Sequence, residues 1–131
     1  ANPDITVVFA PYDEFARGVK LATDEAGISD KVKIYSADVS TADIAEMIAD
    51  GSPWVATAAT NPAVVGAVSV RAVAKLIAGE EVPHNIVVKP VLITQKDLRD
   101  NGIKTIEDLN AKLPAFGQSD AATAPWIPAA K

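Results

Sequence analysis

Apolar positions along the chain follow two alternating rhythms. Ile5 to Ala10, Val32 to Ala37 and Trp54 to Thr60 are short continuous runs of the length expected for buried strands. The stretches between them repeat every 3.6 residues. Glu14 to Ala26 places Phe15, Val19, Ala22 and Ala26 on one face and predicts a helix that Gly27 caps. Ser40 and Asp43 have capping-box spacing ahead of Ile44, Met47 and Ile48, and Gly51-Ser52-Pro53 makes a turn. Asn61 and Pro62 read as the cap and first residue of a helix over 62–79, which Gly79 ends. That helix is apolar around most of its circumference, so it predicts burial on several sides.

The second part of the chain is less regular. Asn85 to Ile93 predicts a fourth strand, in which Pro90 has no N–H for a ladder and marks an edge, bulge or crossing. Thr94 with Asp97, and Thr105 with Asp108, repeat the capping spacing before two short helices, the first stopped by Gly102. From Pro114 the chain is rich in Ala and Pro, with Pro125 and Pro128, and predicts an extended tail lying over a surface. Ala1-Asn2-Pro3-Asp4 reads as a loop entering the first strand, with native chain expected upstream of it.

Three β-α units in succession predict an α/β fold, Rossmann-like, with a parallel sheet flanked by helices on both faces. In such sheets ligands gather outside the carboxyl ends of the strands. That rule selects Pro11-Tyr12-Asp13, Asp38 and Thr60-Asn61.

Composition narrows the chemistry. The 131 residues carry 12 basic and 17 acidic side chains, with no Lys/Arg cluster, which argues against nucleic acid as a partner. Zero cysteines and one histidine exclude thiolate and multi-histidine metal sites. No glycine-rich phosphate loop follows the first strand, no G-x-S-x-G elbow occurs, and no nucleophile pairs with His84. The reading is of a protein that is not an enzyme and has no cofactor.

Each candidate residue has two readings. Asp13 is either the N-cap of the helix that follows or a polar group of the binding site. Asp38 is surplus to capping, because Ser40 already serves; it is either a solvated loop acid or an acceptor for adjacent sugar hydroxyls. Tyr12 either packs at the rim or offers a ring face and one hydroxyl to a ligand. Thr60 offers one hydrogen bond. Arg17, in the first turn of a helix, either faces the site or pairs with Glu14 or Asp13. Trp54 and His84 open their strands at the opposite end and are assigned to packing and surface.

The run Pro3 to Gly18, with Phe9-Ala10-Pro11-Tyr12-Asp13-Glu14, resembles the ribose/galactose-type periplasmic binding proteins, the type I sugar-binding components of ABC importers. Val32-Lys33-Ile34-Tyr35-Ser36-Ala37-Asp38 and Trp54 to Pro62 with Gly66 are similar to two further blocks of that family, at matching spacing. The resemblance spans residues 1 to about 93. It implies a two-lobed protein that closes on a monosaccharide or polyol, of which this chain is the C-terminal part. Residues 1–60 would be the later part of the C-terminal lobe. Residues 61–87 would be a segment of the N-terminal lobe between two hinge crossings, and 88–131 would return to the C-terminal lobe and end in the tail.

By the same resemblance the family's ligand Asp falls on Asp38, its ligand Asn on Tyr12, its hinge Gln on Thr60, and the aromatic before the Asp on Ala37. The implied partners are a sugar or polyol and a membrane permease, with a periplasmic location. The apolar helix 62–79 would be covered by the missing half or by a second chain. The effector domain of a lactose-repressor-type regulator shares this fold and is the alternative. A helix-turn-helix upstream would mark the regulator, and a signal peptide the transporter.

Overall fold

The computed structural model describes residue 2 and residues 4–127; Ala1, Pro3 and Pro128, used above for the entry loop and the tail, lie outside the described residues. β1 (Val7–Ala10), β2 (Lys33–Ala37) and β3 (Trp54–Ala59) run parallel and are joined by α1 (Asp13–Glu25) and α2 (Thr41–Ile48). α3 (Pro62–Ile77) follows β3, and a long connection leads to β4 (Val91–Thr94). α4 (Gln95–Asp100), α5 (Ile106–Lys112) and α6 (Pro114–Gly117) complete the order.

The capping signals operate as their spacing predicts. Ser40 and Thr105 form full capping boxes with Asp43 and Asp108, and Thr94 accepts from the Asp97 N–H. Asn61 accepts from the Ala63 N–H, with Pro62 at the first helical position. Gly27, Gly79 and Gly102 end their helices at φ of 64°, 76° and 58°, a region that costs a glycine little.

Three expectations are corrected. The fourth strand is short, and it pairs antiparallel with β3 at the sheet edge, so the sheet is mixed. Residues 85–90 form no ladder, consistent with the donor missing at Pro90. The tail is not extended from its start, because 114–117 turn as α6 and bury Phe116.

The third correction concerns the layers. The strand order β1-β2-β3-β4 never reverses. Right-handed crossovers between strands laid down in one direction put their helices on one face. α1 packs on β1 and β2, α2 and α4 pack on β3, and α2 lies between α1 and α4. That face holds the core, with Ala10, Ile34, Trp54 and Ile93 from the sheet against Ala16, Ile44, Met47 and Leu98. The opposite face presents Val7, Phe9, Tyr35 and Leu92 exposed, Phe9 to 67%.

α1 is rotated from its predicted face. Ala16 and Thr23 are buried and Val19 packs on the core, while Phe15 and Ala22 are exposed. The closely approaching sheet selects the small side chain at 16 over the large one at 15. α3 is not among the helices packed on the sheet. Only Val64 and Val68 of it are buried, and Val70, Val73, Leu76 and Ile77 are exposed, Ile77 to 82%.

Trp54 is fully buried, as assigned, and its indole N–H donates to Ser36 Oγ at 2.9 Å. His84 is exposed, as assigned. Gln95 and Arg99 fasten α4 to the end of α2. Gln95 Nε2 donates to the Met47 carbonyl at 2.6 Å and Arg99 to the Ala49 carbonyl at 2.7 Å. α2 has no basic residue of its own in its last turn, so Arg99 supplies the cation that its C-terminal dipole favours.

Replacing Trp54 with Ala removes the largest buried side chain and orphans the Ser36 hydroxyl. We expect a loss of about 3–5 kcal/mol of unfolding free energy, read from the denaturant midpoint at unchanged m-value.

Candidate functional site

Tyr12, Asp38 and Thr60 each follow the carboxyl end of a parallel strand, in β1, β2 and β3 respectively. Neighbouring strands lie about 4.8 Å apart, so the three backbones lie along roughly 10 Å of one sheet edge.

Asp38 has the most unusual conformation of the three. Its φ is 68°, one of two positive values at non-glycine residues among those described. An L-residue holds this geometry only where its surroundings over-determine it. Here β3 does so. The Asp38 N–H donates to the Ala58 carbonyl at 3.0 Å, and its own carbonyl accepts from Thr57 Oγ1 at 2.6 Å. Thr57 is buried, so the anchor is shielded from water. Ser40 directs both its N–H and its hydroxyl to Asp43, which leaves the Asp38 carboxylate out of the helix cap.

Tyr12, not Asp13, occupies the N-cap position of α1, in extended conformation and with no side-chain cap bond. The capping reading of Asp13 is therefore corrected: it is the first residue of the helix, and its Oδ1 accepts from the Glu14 N–H at 2.8 Å. The Tyr12 ring is half exposed and stands 6.3 Å from the Phe15 ring, tilted by 57°. This aromatic pair was not legible as a pair. Phe15 fitted a buried helical face, although its i, i+3 spacing from Tyr12 is the signal that puts the two rings together.

Arg17 takes the ion-pair option. Its guanidinium lies 3.2 Å from Glu14 on the flank of α1, in a shallow groove with Lys20, Leu21 and Glu46, away from Tyr12 and Asp38. Lys20 bridges Asp24 and Glu46, both at 2.9 Å, and so ties α1 to α2; the Asp24 bond leads in raising its pKa. Thr60 lines a cavity of about 470 Å³ with Asn61, Val88, Lys89, Phe116 and Ser119, on the β4 side of the edge. Tyr12 and Asp38 are not among its walls. Asn61 was legible as a cap and, with Thr60, as a strand-end position. It also donates to Asn110 Oδ1 at 2.6 Å, a contact between residues 49 apart that no local pattern announces.

Beside Asp13 lies a buried acid. Asp43 Oδ2 accepts from the Ser40 N–H at 2.6 Å, while Oδ1 has no partner among the described residues. Burial pushes its pKa up, the Ser40 hydroxyl opposes this, and the neighbouring Asp13 carboxyl adds to the rise. Among the described residues no group of three or more acids or histidines is placed to hold a metal ion. No helix among them is long and apolar enough to cross a membrane.

The architecture is a mixed α/β layer whose parallel strands are each followed by a polar residue, and similarity specifies the family. The chain belongs to the periplasmic binding proteins: the family model described as a periplasmic binding protein domain matches residues 1–81. It is similar to the solved 5-methylthioribose transporter solute-binding protein of Thermotoga lettingae, in complex with 5-methylthioribose. The two are 45% identical over 95% of this chain and 40% of that one, with a TM-score of 0.88.

A sugar ABC transporter structure from Yersinia enterocolitica is 34% identical over 96% of this chain and 38% of that one, at TM-score 0.83. An ABC transporter solute-binding protein from Agrobacterium vitis with bound allitol shares the fold at 24% identity and TM-score 0.69, over 76% of this chain and 34% of that one. The chain thus spans about two fifths of the length of the solved proteins it matches. No curated protein matches it.

A carboxyl whose pKa is raised in the fold binds its proton more tightly there than in the unfolded chain. Its contribution to stability is therefore present below the unfolded value and is lost as pH rises through the folded one. We expect the contribution of Asp43 to the unfolding free energy to fall as pH climbs from its unfolded value to the raised folded one, against the opposite contributions of Asp24, Glu80 and Asp108, whose pKa values are lowered. The stability of the unaltered protein relative to Asp43→Asn should therefore decline across that window. Denaturant titrations across this acidic window check it; parallel slopes for the two proteins would contradict it.

Proposed function

We propose that the chain is part of the substrate-binding component of an ABC-type sugar importer, which takes a monosaccharide or polyol between two lobes in the periplasm and delivers it to a membrane permease. The observation that carries this reading is Asp38, an uncapped carboxylate held at a positive φ by two bonds from β3 at the ligand end of a parallel sheet. A carboxylate carried on a backbone fixed before the ligand arrives accepts two vicinal hydroxyls at the cost of ordering its side chain alone. In this reading Asp38 is the polar anchor, Tyr12 the lateral wall and Thr60 a single hydrogen-bonding group at the hinge. Asp13 and Arg17 support the helix start from outside the ligand shell.

The lobe assignment follows the same reading. Residues 4–60 form the sheet-bearing lobe, 61–87 cross into the second lobe, and residues from 88 return. Its support is α3, whose exposed valines and leucine find no cover on the sheet. At about 25 cal/mol per Å² of apolar surface, such a helix gains several kcal/mol from a second layer of protein.

The Tyr12–Phe15 pair indicates the class of sugar. Two rings give an apolar wall where an amide would demand hydroxyls. A pentose whose C5 hydroxyl is replaced by an apolar group suits that wall, as does a polyol lying flat on it. The Thermotoga lettingae relative, with 5-methylthioribose bound, is an instance of the first.

Two outcomes follow for the whole protein. Asp38→Asn should weaken binding of the preferred sugar by about 1.5–3 kcal/mol, roughly a factor of ten to a hundred, by calorimetry; unchanged affinity would remove Asp38 from the site. In a thermal-shift panel of pentoses, deoxy-sugars and polyols, 5-methylthioribose or a polyol should stabilise more than ribose. Tyr12→Asn should narrow that gap, and ribose as the strongest stabiliser of the unaltered protein would overturn the specificity reading.

A further inference from the structure

α3 leaves the sheet at Asn61, and what holds it to the rest of the molecule is the C-terminal segment. Asn61 is buried and uses both ends of its amide: Oδ1 accepts from Ala63 N–H at 2.9 Å to cap α3, and Nδ2 donates to Asn110 Oδ1 of α5 at 2.6 Å. Because the cap claims the oxygen, the orientation of both amides is determined. One turn further along α3, Val64, Ala67 and Arg71 share a groove with Gly117, Ser119 and Thr123. Arg71 donates to the Ser119 carbonyl at 2.9 Å across it. Beyond the far end of α3 the Trp126 indole donates to Glu80, which also pairs with Lys75 of α3 at 3.3 Å. Ala122, at φ 56°, is the other non-glycine residue held at positive φ, and it lies inside this segment.

We propose that residues 110–127 are a clasp between the two lobes, with Asn110 as the positioning residue that fixes the hinge through Asn61 and so sets how widely the cleft opens. The proposal rests on the lobe assignment above. Asn110 touches neither Tyr12 nor Asp38, so it acts on binding only through the geometry of the crossing. A clasp with its pivot at the crossing narrows the range of open states, and a narrower range leaves less to order when a sugar arrives.

The test uses the whole protein with spin labels at Glu81→Cys, an exposed charged position in the turn after α3, and Ala42→Cys on the exposed side of α2. This chain has no cysteine of its own to compete for label. Pulsed dipolar distances are recorded without sugar and with 5-methylthioribose or allitol as probes. Asn110→Ala should broaden the sugar-free distance distribution and weaken binding of the responding probe roughly threefold to tenfold, the range of one neutral hydrogen bond. Asn110→Asp keeps the acceptor for Asn61 and should restore the narrow distribution, a rescue that a general loss of stability would not give. A distance that shifts with sugar yet is the same in Asn110→Ala overturns the clasp alone. One narrow distance, common to all variants and indifferent to both probes, overturns the lobe assignment and the clasp with it.

Discussion

Thr57 and Asp38 share the contact on which the proposed site depends. A buried hydroxyl on β3 reaches 2.6 Å to the carbonyl at the end of β2, and the next residue's carbonyl takes the Asp38 N–H. Together they hold a non-glycine residue at a φ of 68°. Without that pair the chain leaving β2 would relax toward an ordinary loop, and the carboxylate would sample many directions. With it, the Asp38 backbone is fixed relative to the sheet rather than to its own loop. The sheet in turn is held by Trp54, whose indole donates to Ser36 one strand away.

Strand order then decides what else the molecule needs. Three parallel strands added in one direction, each through a right-handed crossover, place α1, α2 and later α4 in a single layer. The other side of the sheet keeps Val7, Phe9, Tyr35 and Leu92 exposed, and α3 keeps Val70, Val73, Leu76 and Ile77 exposed. Surfaces of this size are uncommon on isolated soluble domains. They accord with a chain that spans two fifths of the solved proteins it resembles. In the proposed two-lobed protein they are internal faces, and among the described residues the segment from Asn110 onward bonds to α3 and its cap.

What was legible in the sequence was local. The capping boxes at Ser40 and Thr105, the Asn61-Pro62 helix start and the glycines that stop the helices depend on side chains three or four residues apart. Periodicity located every strand of the parallel set, and the blocks around Tyr12, Asp38 and Thr60 located the strand ends where the proposed site lies. These features are set by covalent geometry and short-range hydrogen bonds, which a sequence writes directly.

Tertiary structure alone decided the rest. Which face of α1 turns inward depended on how closely the sheet approaches, so Ala16 was buried and Phe15 was left beside Tyr12. Whether the fourth strand ran parallel depended on where the chain re-entered after α3, and it entered antiparallel over four residues. The Asn61–Asn110 bond, the Gln95 and Arg99 ties to α2, and the Asp13–Asp43 neighbourhood join residues 30 or more positions apart. Such contacts carry no periodic or spacing signal, because the distance that makes them is through space and is fixed only when the strands have paired.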